Sequence, residues 1–147
     1  MQFANLFTNQ KMSRILAIDY GKRRVGVAMT DPMQMLAMPL DTIDTDKIFP
    51  YLEALFLKEK IVCLVLGFPL NMDGKDTDST PLVKAFEEKL REKYPEMPIK
   101  LVDERLTSRM AKQSIIDAGY KKKDRKNKRL VDTVAAALIL QTYLETK

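Results

Sequence analysis

The spacing of apolar residues predicts a three-stranded meander near the start of the chain. An apolar run at 15–18 stops at Asp19, and a second run follows at 25–28. Two strands within 14–30, joined by a short basic turn, fit this pattern, and a third strand follows near 38–43. Strands joined by short turns pair antiparallel, so we expect an antiparallel meander.

The middle of the chain alternates helices with buried strands. Residues 46–60 carry apolar side chains at helical spacing and lead into a strongly apolar strand at 61–66. A helix between two buried strands implies a crossover, so this strand should run parallel to the first. After a turn-rich loop at 67–74, a helix is predicted to begin at Pro81 and to run to about Tyr94.

The last third of the chain predicts one more strand and two helices. The strand lies at 99–102, and the helix after it can be capped by Thr107 or Ser108 and ends at Gly119. The final helix spans about 130–144. The element order is then β-β-β-α-β-α-β-α-α, which predicts an α/β protein with a mixed sheet and helices on both faces.

The chain of 147 residues is long enough for one domain with a substantial core. We expect residues 14–147 to form that single domain and residues 1–13 to be an N-terminal extension outside the core. No apolar run reaches the length of a membrane span, so no membrane partner is expected. The first residues lack a basic start, an apolar stretch and a small-residue cleavage site, which favours a cytoplasmic protein.

The amino-acid composition limits which catalytic and metal-binding sites the chain can form. The chain has no histidine, which excludes Ser-His-Asp and Cys-His catalytic sites and the usual histidine-bearing metal sites. Its single cysteine, Cys63, lies in an apolar run and cannot form an internal disulfide, as expected in a reducing compartment. A net charge of +5 indicates a polyanionic partner. Catalysis would have to rest on carboxylates, hydroxyls, lysine or arginine.

Three carboxylate positions could carry such chemistry. Asp19 ends an apolar strand, and Asp103 and Glu104 end another. Successive strand residues point to opposite sides, so only one of this pair can share a face with Asp19. Asp132 lies on the apolar stripe of the last helix and should have a partner, which could be a bound metal, an arginine or backbone amides. Structural interpretations remain open: a polar strand end, an ion pair or solvation at 103–104, and a carboxylate that stabilises the helix dipole.

Carboxylates brought together at one end of a sheet could bind one or two Mg²⁺ or Mn²⁺ ions, which can activate water at a phosphodiester. Basic and hydroxyl side chains near these positions could neutralise or bind phosphates, although a solvated loop and simple helix capping are the alternatives. The candidate nucleic-acid-binding residues are Lys22, Arg23, Arg24, Asn71, Arg105, Thr107, Ser108, Lys121, Lys122, Lys123, Arg125, Lys126, Lys128 and Arg129.

Four segments in order resemble the YqgF family, also called RuvX, a family of proposed pre-ribosomal-RNA nucleases and Holliday-junction resolvase homologues with an RNase H-like fold. The segments are IDYGKRRVGVA at 18–28, VLGFPLNMDG at 65–74, DERLTS at 103–108 and VDTVAAALILQ at 131–141. The resemblance spans residues 14 to about 144. Four motifs in family order make it specific.

The resemblance implies that Asp19, Glu104 and Asp132 are the catalytic, metal-binding carboxylates, with Asp103 as a reserve ligand, and that the ion is Mg²⁺ or Mn²⁺. It also implies hydrolysis of phosphodiester bonds in 5′-end processing of pre-16S ribosomal RNA. The expected partners are structured RNA or branched DNA and ribosomal particles, with the protein acting as a monomer or homodimer.

Two alternatives stay open at this point. A Holliday junction resolvase-like DNA endonuclease would act as a dimer, although RuvC-type resolvases carry four acidic residues where three are placed here. A noncatalytic nucleic-acid or ribosome-binding protein would bind in a salt-dependent way without cleavage.

Overall fold

Five strands form one mixed sheet in a computed structural model that describes residues 13–70, 73–75, 77–104, 110–111, 113, 116–117 and 127–147. The spatial strand order is β3-β2-β1-β4-β5. β1, β2 and β3 pair antiparallel, whereas β1, β4 and β5 pair parallel. The strands are β1 (Ser13–Tyr20), β2 (Arg24–Thr30), β3 (Ala37–Asp44), β4 (Lys60–Phe68) and β5 (Ile99–Asp103).

Three helices have both ends within the described residues. They are α1 (Ile48–Lys58), which a short 3-10 turn (Thr45–Lys47) precedes, α2 (Thr80–Lys93) and α3 (Lys128–Thr146). The predicted mixed α/β architecture is therefore confirmed. Of the helix predicted between Thr107 and Gly119, residues 110–111, 113 and 116–117 are helical, and its ends lie outside the described residues. No helix in the described ranges is long and apolar enough to cross a membrane.

The sheet has apolar side chains on both faces because each face packs against helices. One cluster joins alternate residues of β1, such as Leu16 and Ile18, to α1 and α2. Tyr20 extends this face and stacks on Phe86 of α2, with ring centroids 4.1 Å apart. The intervening β1 residues, with Val65 of β4, pack against α3 on the other face. This two-sided burial explains why β1 and β4 read as nearly continuous apolar runs.

The start of α3 differs from the sequence prediction. The helix begins at Lys128 rather than near Leu130, because the side chain of Asn127 accepts hydrogen bonds from the backbone N–H groups of Arg129 and Leu130. Asparagine is a favoured N-cap residue, since its side-chain oxygen satisfies amides that have no partner within the helix. The sequence has a run of basic residues at 121–129, and its last two members, Lys128 and Arg129, therefore belong to α3.

Candidate active site

Asp19 lies on the α3 face of the sheet, at the carboxyl end of β1. Ile15 and Ala17 pack against α3, while Leu16 and Ile18 pack against the opposite layer. Because strand side chains alternate between faces, Asp19 projects from the α3 face just past the buried core. The carboxyl ends of the parallel strands β1, β4 and β5 meet at this edge of the sheet.

Glu104 directly follows β5 and reaches the same edge. Its backbone N–H donates to the carbonyl oxygen of Phe68 at 3.2 Å, which fixes the residue beside the end of β4. A Cβ atom on Gly67 would lie 2.7 Å from Glu104 Oε2 and 2.5 Å from Ile139 Cδ1. Glycine at 67 therefore provides the space in which the Glu104 carboxyl group lies over β4.

Asp19 and Glu104 are joined by a side-chain hydrogen bond. Burial raises the pKa of Glu104 to about 9, and the charge and hydrogen bond of Asp19 and the charge of Asp103 add to the rise. Burial also raises the pKa of Asp19 to about 6, with the hydrogen bond to Glu104 opposing the rise and the charge of Asp132 adding to it. At neutral pH, Glu104 therefore keeps a proton and donates it to ionised Asp19.

The structure also distinguishes Asp103 from Glu104. Asp103 is paired with Phe68 in the β4–β5 register and is exposed. Glu104, one residue further on, lines the pocket with Asp19 and Asp132. Adjacent side chains point in opposite directions, so only one of these two acidic residues reaches the pocket, as predicted from the sequence.

Asp132 reaches the pocket because α3 packs closely on β2. A Cβ atom on Gly26 would lie 2.2 Å from the backbone oxygen of Asp132, so only glycine permits this approach. Arg24, two residues earlier on the same face of β2, donates from Nε to Asp132 Oδ2 at 2.9 Å. The two side chains are 28% and 27% exposed, so this ion pair is partly shielded from solvent.

The first turn of α3 is held by polar contacts to β3. Arg129 donates from Nη1 to the carbonyl oxygen of Thr42 at 3.0 Å and from Nη2 to Asp44 Oδ1 at 2.6 Å. The Thr42 hydroxyl donates to the Arg129 carbonyl oxygen at 2.8 Å and contacts the hydroxyl of Thr133. These contacts fix the part of α3 that carries Asp132.

The three carboxylates line one pocket of about 490 Å³ at the carboxyl ends of the parallel strands. This is where ligands bind in open α/β sheets. Among the described residues that line the pocket, Arg24 is the one with a positively charged side chain. The described lining residues are Asp19, Tyr20, Gly21, Arg24, Pro69, Leu70, Thr77, Ser79, Glu104 and Asp132.

Sequence reasoning missed the hydroxyl side of this pocket, which Thr77 and Ser79 form just before α2. The Thr80 hydroxyl donates to the carbonyl oxygen of Pro69 at 2.7 Å and accepts from the Thr77 backbone N–H at 2.8 Å. These bonds hold the turn against the end of β4. The signal in the sequence was a run of hydroxyl residues directly before a proline-started helix, which follows the loop after a buried parallel strand.

The predicted nucleic-acid contacts fall into three groups. Lys22 and Arg23 are exposed in the turn beside the pocket, whereas Arg24 lines the pocket itself. Arg129 is engaged with Asp44 and Thr42, as described above. Of the others, Lys128 belongs to α3, with its side chain outside the described part, and the remaining predicted residues lie outside the described residues: Asn71, Arg105, Thr107, Ser108, Lys121, Lys122, Lys123, Arg125 and Lys126.

The donor chemistry of the pocket fits a hard divalent cation, since its acidic groups are all carboxylates. Within the described ranges, however, no three acidic or thiol side chains converge closely enough to form a metal-binding group. Asp19 and Glu104 contact each other, and Asp132 contacts Arg24 instead. Two of the three carboxyl groups are therefore together, and the third is held by an arginine.

A mixed sheet with carboxylates gathered at the carboxyl ends of its parallel strands places the protein among α/β proteins with an acidic site. The chain belongs to the RuvX family: the family model described as "RuvX: Holliday junction resolvase" matches residues 13–146.

Relatives of nearly the same length support this assignment. A protein of Flavobacterium psychrophilum named "Putative pre-16S rRNA nuclease" is 46% identical over 136 residues, covering 92% of this chain and 99% of the relative. Proteins with the same name from Christiangramia forsetii and Phocaeicola vulgatus are 47% and 45% identical, covering 90% and 92% of this chain and 98% of each relative.

Proposed function

We propose that this protein is a metal-dependent nuclease that hydrolyses phosphodiester bonds in 5′-end processing of pre-16S ribosomal RNA. The observation that carries the proposal is the convergence of Asp19, Glu104 and Asp132 on one pocket, beside an exposed basic turn. The names of the relatives supply the substrate, and their sequences match this chain from β1 to α3. We further propose that residues 14–147 form one RNase H-like domain with the full order β-β-β-α-β-α-β-α-α, acting in the cytoplasm.

In this proposal Asp19 and Glu104 hold a Mg²⁺ or Mn²⁺ ion and Asp132 completes the site. When bound, such an ion activates water and stabilises the leaving oxygen. Asp19 and Glu104 share a proton, so Glu104 would have to release it for both carboxylates to act as ligands. Lys22 and Arg23, exposed in the turn beside the pocket, would neutralise phosphates of a bound nucleic acid.

Cleavage of end-labelled substrates tests the proposal. Pre-16S precursor RNA, single-stranded RNA and a four-way DNA junction are incubated with Mg²⁺ or Mn²⁺, with wild type and with Asp19→Asn. RNA cleavage by wild type should be lost in Asp19→Asn and kept in the matched control Asp46→Asn, which changes an exposed carboxylate of the 3-10 turn. Asp103→Asn decides whether the reserve carboxylate takes part. Full activity of Asp19→Asn would refute the site.

The description of the family model favours a second candidate, a Holliday junction resolvase-like endonuclease. Symmetric cleavage of a junction needs two active sites, so this function requires a homodimer. Cleavage of the junction alone, by a species of twice the monomer mass, would support it. Nucleic-acid binding without cleavage of any substrate would instead support the noncatalytic alternative.

A further inference from the structure

Arg24 is placed so that its charge acts inside the pocket. Asp44 stands directly opposite Arg24 in the β2–β3 register and would be the nearest candidate for an ion pair. Its carboxylate, however, accepts from Arg129 at 2.6 Å. Arg24 instead pairs with Asp132, from which it is separated by 108 residues in sequence. The two arginines thus each take a different carboxylate.

Asp132 is paired with Arg24, whereas the other two carboxyl groups of the pocket contact each other. Asp19 and Glu104 are in contact, but over the described residues no third acidic side chain joins them in a group suited to a metal ion. A cation entering the pocket would compete with the guanidinium for Asp132 and would be repelled by it. Arginine stays charged at every accessible pH, so loss of a proton cannot relieve this competition.

A nucleic-acid phosphate can relieve the competition between Arg24 and an entering cation for Asp132. The hydrogen bond to Asp132 uses Nε, one of five N–H donors in a planar fork that suits phosphate oxygens. A phosphate in the pocket would offer Arg24 a second anionic partner and release Asp132 toward Asp19 and Glu104. Ion and nucleic acid would then each favour the binding of the other, because coupling between two ligands is reciprocal.

We propose that Arg24 is a positioning residue that holds Asp132 out of the metal site until a phosphate draws it away, and so couples ion binding to nucleic-acid binding. This inference rests on the proposed function, since it requires the carboxylates to be ion ligands.

The first test measures Mn²⁺ affinity of the free protein by electron paramagnetic resonance. Arg24→Gln should bind Mn²⁺ more tightly than wild type, by up to about fivefold for a partly exposed ion pair. Arg24→Met should show the same tightening, which guards against misfolding of a single variant, and Arg24→Lys should restore much of the wild-type affinity. Arg91→Gln is the matched control: it removes an equal charge from another partly exposed ion pair, that of Arg91 with Glu87 on α2, and should leave Mn²⁺ affinity unchanged.

A double-mutant cycle shows whether Arg24 acts through Asp132. In an Asp132→Asn background, Arg24→Gln should tighten Mn²⁺ binding by clearly less than it does alone, because only the direct repulsion between guanidinium and ion is then removed. The coupling itself is measured as the ratio of affinities for a fluorescent single-stranded RNA with and without Ca²⁺, chosen as a hard cation. Wild type and Arg91→Gln should share one ratio, and Arg24→Gln should give a smaller one.

Mn²⁺ affinity in Arg24→Gln and Arg24→Met that is equal to or weaker than in wild type overturns the proposal, whatever the RNA measurement gives. Tightening of undiminished size in the Asp132→Asn background also overturns it. These results are separate from the cleavage assay. Loss of cleavage in Asp19→Asn with unchanged Mn²⁺ affinity in Arg24→Gln would leave the nuclease standing and remove only the role of Arg24.

Discussion

Among single residues, the shared proton of Asp19 and Glu104 has the clearest measurable consequence. In the unfolded chain both groups ionise near pH 4, whereas in the folded protein burial raises the pKa of Asp19 to about 6 and that of Glu104 to about 9. The folded state therefore holds more protons than the unfolded state between about pH 4 and pH 9. Stability from these groups is present at low pH and is lost as the pH rises through that window.

Glu104→Gln should remove the part of this loss that comes from Glu104, because an amide can donate to Asp19 as the protonated carboxyl does but cannot ionise. We expect the variant to exceed wild type in free energy of unfolding at pH 8, by on the order of 2 kcal/mol. At pH 4 the difference should nearly vanish. Urea unfolding at the two pH values measures it, with Glu92→Gln on the exposed face of α2 as control. An equal gain at both pH values would contradict the shared proton.

Among elements, the contact between α3 and β2 determines whether Asp132 reaches the pocket. Gly26→Ala would place a methyl group 2.2 Å from the Asp132 backbone oxygen, which cannot move without moving the helix. We expect a loss of about 1–3 kcal/mol in the free energy of unfolding, as in other overpacked cores, and a large loss of cleavage.

Gly67→Ala provides the matched comparison, since its new methyl group would meet the ends of two side chains, Ile139 and Glu104, rather than backbone. Side-chain ends can rotate, so the loss of stability should be smaller than for Gly26→Ala. Cleavage should still fall, because Glu104 is displaced. Thermal unfolding and cleavage of both variants check this ordering. If the Gly26→Ala variant is more stable than the Gly67→Ala variant, α3 can shift away from β2 without loss of stability.

The sequence predicted elements well wherever a periodic apolar pattern was buried. The strands that became β1 and β4 and the helices that became α1 and α2 were predicted from such patterns and are found with small changes at their ends. The start of α3 was missed because a single side chain, Asn127, caps it within a basic run. Capping depends on the local hydrogen bonds of one side chain, which a prediction based on a run of charged residues does not take into account.

The candidate site was predictable in its residue types but not in its pairing. Strand ends and alternation showed that Asp19 could share a face with one of Asp103 and Glu104. Which one depends on the register of β5 against β4, and that is a property of the folded sheet. The pairing of Arg24 with Asp132 joins residues far apart in sequence through a close helix–strand contact at Gly26, so no local pattern could indicate it.

At the scale of the whole molecule, acidic side chains are concentrated at the pocket although the net charge is positive. The chain has 25 basic and 20 acidic side chains, and the pocket gathers three of the acidic ones at one edge of the sheet. A nucleic acid must bring its phosphates to this acidic pocket, so the basic residues around it have to offset the repulsion. Lys22 and Arg23, exposed in the turn next to Asp19, are the described residues placed to do this.

Salt dependence measures that contribution, because each neutralised phosphate releases counterions. We expect RNA affinity to fall steeply with salt, and Lys22→Gln to make the slope of log affinity against log salt shallower by about one. Lys58→Gln, at the opposite end of the sheet, makes the same change in net charge and should leave the slope unchanged. If both variants flatten the slope equally, net charge alone draws the RNA; a change confined to Lys22→Gln places the backbone against the turn that leads from Asp19 to Arg24.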